Sequence, residues 1–228
     1  MIPTIIYFLL RRYKRTNPAK AEKLTVLFQK ASRMFLFFVL LLLVCYYALP
    51  QDTQRQYSVR RKGSEIGVIS FTQQQSGKRT VLKTESTIKA RFLFLFTAIG
   101  HEESIFENGI MIWSSIYHKL NGSERVNKKT RLIGESYIVT RGKESERISS
   151  YPISYNMICL YSWEPVNISK VYSDTFQRFL DIQKLGIHSY KITFPDGNYN
   201  EYYYSNGFCM KVEVHNSLYR SSFELKHK

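Results

Sequence analysis

The sequence predicts a mainly β protein: a single antiparallel meander that forms a strongly curved sheet or open barrel, preceded by an N-terminal hydrophobic helix. Three observations lead to this prediction. Aromatic residues make up 15% of the 228 residues, with 17 Tyr and 15 Phe, and such side chains suit pleated, half-buried strands. Short runs of alternating apolar and polar residues are separated by turn dipeptides. One uncharged apolar block lies near the N-terminus, apart from these runs.

The apolar block, residues 34–49, is predicted to be a helix that enters a membrane. It contains no charged residue, whereas a core helix of a soluble protein normally has a polar face. As a helix it would be about 24 Å long, somewhat short of a bilayer core of about 30 Å. Pro50 follows directly and would end the helix. The length suits a signal anchor or a cleaved signal peptide, and both alternatives stay open.

Basic residues before the block set the predicted orientation. Residues 1–33 contain eight Lys or Arg and one Glu, within a chain of formal net charge +15. Because positive charge is retained in the cytoplasm, we expect residues 1–33 to be a basic cytoplasmic leader, unless the start codon is misassigned. Residues 34–50 would be the signal anchor or signal peptide, and residues 56–228 an exported antiparallel β domain.

Glycine dipeptides mark the predicted hairpins. Asn-Gly and Asp-Gly supply the positive φ that tight hairpins require, and such turns join antiparallel neighbours without crossover helices. The dipeptides are Ser76-Gly77, Asn108-Gly109, Asn121-Gly122, Arg141-Gly142, Asp196-Gly197 and Asn206-Gly207. We therefore expect up-and-down strands from Tyr57 onward.

Alternation of apolar and polar residues predicts the strands themselves. Residues 188–194 alternate clearly. In a later strand Met210 and Val212 are expected on the apolar face, which would leave Cys209 on the polar face. Residues 80–99 are expected to form one long strand that is covered on both faces at its far end.

Residues 157–181 do not follow this alternation of apolar and polar residues. The step Trp163-Glu164-Pro165 does not allow a regular strand, because proline cannot donate to the ladder of hydrogen bonds. We expect a turn or short helix here that crosses the curved sheet as a plug or lid.

A set of turn glycines and core aromatics resembles the pattern of a known family. The set comprises Tyr57, Gly63, Ile66-Gly67, Thr84, Ser86, Asn121-Gly122, Tyr161 to Pro165, Tyr172-Ser173, Tyr202 to Tyr204, Asn206-Gly207 and Phe223-Glu224-Leu225. Over residues 56–226 the chain resembles an uncharacterised, exported β-rich family of Gram-negative bacteria, catalogued as a domain of unknown function. The resemblance implies a curved antiparallel sheet in the cell envelope and brings no catalytic residues. The long basic leader departs from the usual family layout.

The implied compartment depends on the fate of the apolar segment. If residues 34–49 stay in the membrane as a transmembrane helix, the β domain lies on the periplasmic side of the inner membrane. If they are cleaved as a signal peptide, it lies in the periplasm or at the outer membrane.

The sequence contains no recognisable catalytic motif, so we expect a protein that is not an enzyme and has no cofactor. A Gly-x-Ser-x-Gly elbow and a phosphate-binding glycine loop are both missing from it. His101 stands beside Glu102 and Glu103, but neighbours along a strand point to opposite faces. No metal site is therefore predicted.

Cys159 and Cys209 are the two cysteines of the predicted exported domain. An oxidising compartment would allow a disulfide between them. Their spacing in the sequence does not show whether their Cα atoms approach to about 5.5 Å. A disulfide and two free thiols both stay open.

Two function classes stay open. The first is binding of an apolar or amphipathic ligand, such as a lipid, on an aromatic concave face. The candidate lining residues are Phe92, Phe94, Phe96, Tyr202 and Tyr204. The second is a structural or protein-interaction module of the cell envelope that uses its sheet edges. Nucleic acid is not an expected partner, because export would separate the domain from it.

Overall fold

The computed structural model describes residues 30–39, 51–91, 95–149 and 151–226. The chain divides into two compact units, Met1–Leu49 and Pro50–Lys228. In the first unit, helix α1 covers residues 30–39 and exposes its apolar side chains. No helix within the described ranges has both the length and the apolar character that a bilayer crossing needs. Helix α1 overlaps the predicted hydrophobic helix only in part, and the rest of that prediction lies outside the described residues.

The second unit contains antiparallel strands that are joined into a single sheet. They are β1 (Gln51–Arg61), β2 (Ser64–Ser76), β3 (Arg79–Arg91), β4 (Leu95–Glu107), β5 (Ile110–Leu120), β6 (Ser123–Ile133), β7 (Ser136–Arg141), β8 (Glu144–Ile148), β9 (Lys170–Ser173), β10 (Arg178–Gly186), β11 (Ser189–Thr193), β12 (Tyr199–Ser205), β13 (Phe208–His215) and β14 (Arg220–Leu225). Consecutive strands are neighbours from β1 to β8 and from β9 to β14. The prediction of a mainly β protein built on one antiparallel meander is confirmed.

Strand β1 joins the two halves of the meander. It pairs with β2 on one side and with β14 on the other, where Tyr57 lies opposite Leu225. The strand order therefore ends at β8 and β9, and the sheet is open between them. Side chains from β2 to β5, β12 and β14 line one interior cavity, so the sheet curves around that cavity.

Asn-Gly turns explain the up-and-down order of the strands. Asn108, Asn121 and Asn206 have φ angles of 51°, 48° and 52°, and each is followed by a glycine that also has a positive φ. Asn tolerates this left-handed region better than most residues, and Gly adopts it without steric cost. Each dipeptide reverses the chain between consecutive strands, which confirms the hairpins predicted at these positions.

Residues 80–99 form two strands, which corrects the expectation of one long strand. Strand β3 ends at Arg91, and β4 begins at Leu95, which lies opposite Arg91. Leu95 is exposed, whereas Phe96 lines the interior. The described residues on either side of 92–94 therefore belong to two paired strands and not to one covered strand. Alternation alone cannot separate these cases, because both strands of a hairpin keep a period of two.

Residues 151–169, here called the crossing segment, pass through the interior of the curved sheet. The segment contains a 3₁₀ helix, Met157–Tyr161, whose middle residues are buried. The backbone N–H of Met111 in β5 donates to the carbonyl oxygen of Ile153 at 2.8 Å. This part of the chain confirms the predicted plug, although the second half of residues 157–181 forms strands β9 and β10.

Buried tyrosines fasten the sheet to the crossing segment. The Tyr204 hydroxyl in β12 donates to the carbonyl oxygen of Leu160 at 2.9 Å. The Tyr137 hydroxyl in β7 donates to the Met111 carbonyl at 2.8 Å and accepts from the Ile153 N–H at 3.2 Å. A buried backbone group without a partner costs about 1 to 3 kcal/mol, so these hydroxyls stabilise the path of the segment.

A β-bulge in β13 reverses the predicted facing of Cys209. Tyr203 lies opposite Lys211, but Tyr204 lies opposite Cys209, so Met210 is an extra residue on its strand. One extra residue shifts the alternation by one position. Cys209 is therefore fully buried and not on the polar face, which corrects the prediction.

Cys159 and Cys209 are both free, buried thiols. The Cys159 thiol donates to Asn156 Oδ1 at 3.2 Å, and the Cys209 thiol donates to the Lys211 carbonyl at 3.6 Å. Burial raises the pKa of both thiols, to about 12 for Cys209. Thiols that stay protonated and hidden are poor nucleophiles, so the structure has two packing residues where the sequence also allowed a disulfide.

Candidate functional site

Two adjoining cavities lie inside the curved sheet. The apolar compartment has a volume of about 380 Å³, and the polar compartment has a volume of about 310 Å³. Ile88 and Phe223 line both, so the two compartments are neighbours. Each volume falls at the lower end of the range of about 300 to 1,000 Å³ that is typical of small-molecule sites.

The apolar compartment is built from side chains near one end of the strands. Besides Ile88 and Phe223, its lining includes Val59, Ile66, Ala90, Phe96, Ala98, Val214, Leu218 and Tyr219. In the pairing of β3 with β4, Ala98 lies opposite Ile88 and Ala90 lies opposite Phe96. Each of these pairs combines a small with a large side chain, which leaves unfilled space between them. Leu218 is 87% exposed, so the compartment reaches the protein surface.

The three described members of the predicted lining, Phe96, Tyr202 and Tyr204, lie in different places. Phe96 lines the apolar compartment, and Tyr202 lines the polar one. Tyr204 is buried in the core with its hydroxyl on the crossing segment. Phe92 and Phe94 lie outside the described residues. Of the predicted set, Phe96 is the side chain that the structure brings to an apolar cavity.

Asp174 is the central acidic residue of the polar compartment. Ser114 Oγ donates to Asp174 Oδ1 at 2.5 Å, and Asn156 Nδ2 donates to Asp174 Oδ2 at 2.9 Å. Burial raises the pKa of Asp174 to about 6, and the nearby Glu102 adds to this rise, while the two hydrogen bonds oppose it. The carboxyl group therefore changes its charge near pH 6.

Glu102 and His118 form a second polar pair in the same compartment. Glu102 Oε1 and His118 Nε2 lie 2.9 Å apart. Gly100 lies opposite His118 in the pairing of β4 with β5. A Cβ atom at Gly100 would lie 2.6 Å from Ser86 Oγ and 3.1 Å from His118 Cδ2. The glycine therefore gives the imidazole the room it needs to lie across β4 and reach Glu102.

Three distant parts of the chain meet at Asp174. Ser114 comes from β5, Asn156 from the crossing segment, and Asp174 from the turn after β9. Lys128 in β6 supports that turn by donating to the Thr175 carbonyl at 2.6 Å. No local motif in the sequence marks this group, because its members come together only when the sheet curves.

The two compartments offer different chemistry to a ligand. Carboxylates and amides in the polar compartment accept and donate hydrogen bonds, and they disfavour an apolar chain, which would leave them without water. The apolar compartment offers aliphatic and aromatic side chains and favours such a chain. Arg61 lines it at the end of β1, which places a positive charge beside apolar surface.

A separate polar trio lies on the outer face of β12 and β13. Glu201, Glu213 and His215 place one ligand atom each within 4.8 Å of the others. Imidazole and carboxylate groups are common ligands of divalent metals. The sequence analysis did not identify this trio. The sequence feature that could have indicated the trio is the spacing of Glu213 and His215, because residues two apart point to the same face of a strand.

The chain is similar to known domains of unknown function. The family model described as domain of unknown function DUF6134 matches residues 57–226. A beta-barrel-like protein of domain of unknown function DUF1849 from Brucella abortus has a similar crystal structure, with a TM-score of 0.49 and 9% sequence identity. The similarity covers 78% of this chain and 96% of that chain. No curated protein matches the chain.

Proposed function

The chain belongs to the DUF6134 family of domains of unknown function, and we propose that it binds a single-chain amphipathic molecule, such as a fatty acid or another lipid, without acting as an enzyme. The observation that carries the proposal is the apolar compartment of about 380 Å³, which is lined by Phe96 and reaches the surface at Leu218. A chain in the compartment would contact Ile88 and Phe223 at its inner end.

The energetics of chain burial support this ligand class. Each CH₂ group moved from water into an apolar site contributes about 0.8 kcal/mol. Association costs at least about 4 kcal/mol in lost freedom, so a chain of several buried carbons is needed for net binding. A flexible acyl chain meets this requirement and fits a compartment whose lining is almost entirely aliphatic or aromatic.

Charge near the surface of the compartment supports an anionic head group. Arg61 lines the compartment, and Arg60 and Lys62 are its neighbours in the sequence. Leu95 and Leu218 are exposed side chains from the same end of the strands. Basic residues beside exposed apolar side chains suit a molecule with an anionic head and an apolar tail.

The polar compartment sets an inner limit to the ligand. Beyond Ile88 and Phe223 the lining includes Asp174, Glu102 and His118. An alkyl chain that entered this region would separate these groups from water without replacing their hydrogen bonds. The proposed ligand therefore ends at the boundary between the two compartments.

The proposal also concerns location. We propose that residues 56–228 lie outside the cytoplasm in the cell envelope, where residues 34–49 either anchor them or are removed by cleavage. The support is the uncharged apolar block that follows eight basic residues. A reporter that is active only in the cytosol, fused to the C-terminus, should be inactive. Activity of that reporter would contradict export.

The binding experiment uses native mass spectrometry of the full chain, purified from the envelope fraction and incubated with a C12 fatty acid. The wild type should retain one ligand per chain. Ala98→Phe should lose it, because the new ring fills the compartment. Ile99→Phe is the matched control, since the adjacent residue points to the opposite face of β4 and should leave retention unchanged. Retention by Ala98→Phe equal to that of the wild type would overturn the proposal.

A second candidate function is a protein-interaction module that uses a sheet edge. Strand β8 (Glu144–Ile148) ends the strand order, and most of its residues are exposed. An added strand from a partner could pair with this edge. In the same purification, a wild-type chain that carries a stoichiometric protein partner and no ligand would favour this function.

A further inference from the structure

The hairpin of β12 and β13 presents a row of polar side chains on its outer face. Glu201 lies opposite Glu213, and Tyr199 lies opposite His215. Because Tyr202 is buried on the inner face, its neighbours Glu201 and Tyr203 point outward. Glu201, Glu213 and His215, here called the outer trio, thus meet on the side of the sheet away from the proposed ligand cavity.

The distances from His215 Nε2 to the two carboxylates are close to those between ligands of a tetrahedral metal site. His215 Nε2 lies 3.6 Å from Glu213 Oε2 and 3.9 Å from Glu201 Oε2. With metal–ligand bonds of about 2.0 to 2.1 Å, two ligands of a tetrahedral zinc ion are about 3.4 Å apart. The two distances to Nε2 would shorten by a few tenths of an ångström to reach this spacing, and the three ligand atoms already lie within 4.8 Å of one another. Octahedral coordination with bonds of the same length would need ligands about 2.9 Å apart, which fits less well.

The imidazole of His215 has two nitrogen atoms that make no hydrogen bond with the described residues. Both ring nitrogens are shielded from solvent and have no hydrogen-bond partner among the described residues. The side chain as a whole is 17% exposed. Leaving a buried donor or acceptor without a hydrogen bond costs free energy. A cation between Nε2 and the two carboxylates would remove this cost for one nitrogen.

Neighbouring side chains hold the outer trio in place. The imidazole stacks on the ring of Tyr199, with centroids 4.4 Å apart and an interplanar angle of 12°. The Tyr203 hydroxyl donates to Glu201 Oε2 at 2.9 Å. Lys211 Nζ lies 2.6 Å from Glu213 Oε1, which leaves Oε2 directed to the imidazole. Such supporting contacts orient the ligands of metal sites.

We propose that Glu201, Glu213 and His215 bind one divalent cation of the Zn²⁺ class on the outer face of β12 and β13. Two carboxylates and a neutral imidazole balance the charge of the ion and combine ligand types that suit borderline metals. Three protein ligands leave a fourth position for water or for a group of a partner molecule. Bound metal would tie the two strands together independently of the interior cavity.

The test is a titration of the full chain, stripped of metal by a chelator, with Zn²⁺ alone in a calorimeter and with Co²⁺ alone in a spectrophotometer. The wild type should bind one ion per chain, and Co²⁺ should give the intense visible absorption of tetrahedral coordination. His215→Phe keeps an aromatic ring to stack on Tyr199 and should lower the affinity at least tenfold. Glu201→Gln should lower it as well, which provides a second variant if His215→Phe does not fold.

The matched control is His101→Phe, which removes another outer imidazole that stacks on a tyrosine, Tyr117. This variant should bind metal with the affinity of the wild type. Absence of stoichiometric binding by the wild type would overturn the proposal. Equal binding by the wild type and by both outer-trio variants would also overturn it, because the ion would then be held elsewhere. Neither result depends on lipid binding.

Discussion

The hydroxyl of Tyr204 donates a hydrogen bond of 2.9 Å to the carbonyl oxygen of Leu160, in the 3₁₀ helix of the crossing segment. These residues are 44 positions apart in the chain, and both are buried. A single hydroxyl thus connects strand β12 to the segment that fills the interior.

Tyr204→Phe should lower the free energy of unfolding by about 1 to 3 kcal/mol, because it leaves the Leu160 carbonyl buried without this partner. Urea unfolding of the full chain measures the change. Tyr203→Phe is the control: its hydroxyl bonds the partly exposed Glu201, where water can replace it, so a loss of no more than about 0.5 kcal/mol is expected. Equal losses in the two variants would contradict the role assigned to Tyr204.

Asp174 should make stability fall as pH rises from about 4 to about 6. Its folded-state pKa of about 6 exceeds the ordinary value of 3.8, so the folded protein binds the proton more tightly than the unfolded chain does. The resulting stabilisation is complete below pH 4 and is lost as pH rises through 6. It amounts to on the order of 3 kcal/mol.

Urea unfolding of the wild type and of Asp174→Asn at several pH values isolates this effect. Other carboxyl groups also make stability depend on pH, such as Glu65, whose pKa is lowered chiefly by a hydrogen bond from Ser58, but they are common to both proteins. The difference between the two stability curves should therefore change across pH 4 to 6 and be flat above about pH 7. A constant difference would contradict the raised pKa of Asp174.

Gly67→Ala should destabilise the protein by about 3 kcal/mol or more. A Cβ atom at Gly67 would lie 2.4 Å from the Thr87 carbonyl oxygen and 2.7 Å from Ile88 Cα. Both are backbone atoms of the paired strand β3, so relief requires moving the strands apart. At Gly186 a Cβ would meet only the side chain of Ser189, at 3.2 Å. Gly186→Ala should therefore cost less than about 1 kcal/mol, and thermal unfolding of both variants tests the contrast.

Affinity for fatty acids should rise with chain length and then level off. Each additional buried CH₂ contributes about 0.8 kcal/mol, or roughly a fourfold decrease in Kd. The rise should stop when the chain reaches Ile88 and Phe223, where the polar compartment begins. Calorimetry with a series of saturated acids gives the curve. A continued rise through the longest soluble acid would contradict the inner limit.

Local signals in the sequence were sufficient to predict the antiparallel meander, but not to predict which face of a strand each side chain occupies. Asn108, Asn121 and Asn206 each stand before a glycine, and this chemistry acts over two residues, so the hairpins could be predicted. The bulge at Met210 depends on the pairing with β12 and changes the facing of Cys209. No pattern within one strand reports such a shift.

The candidate site was less predictable than the fold. Phe96 could be proposed as a lining residue because it is an aromatic residue in a strongly apolar run, and it lines the apolar compartment. Ser114, Asn156 and Asp174 could not, because the group forms only when a strand, a plug and a turn converge. Residues that are far apart in the sequence and meet only in the fold have no characteristic spacing in a single sequence.

The pairing of β1 with β14 has a consequence for how the protein is made. Tyr57 meets Leu225 only after nearly the whole domain has been synthesised, so the nascent chain can form separate hairpins on the ribosome but cannot unite its two half-sheets. Until that step, the edge of β1 that pairs with β14 has no partner. Long-range pairing of this kind slows folding and leaves strand edges exposed for longer, which raises the risk of aggregation.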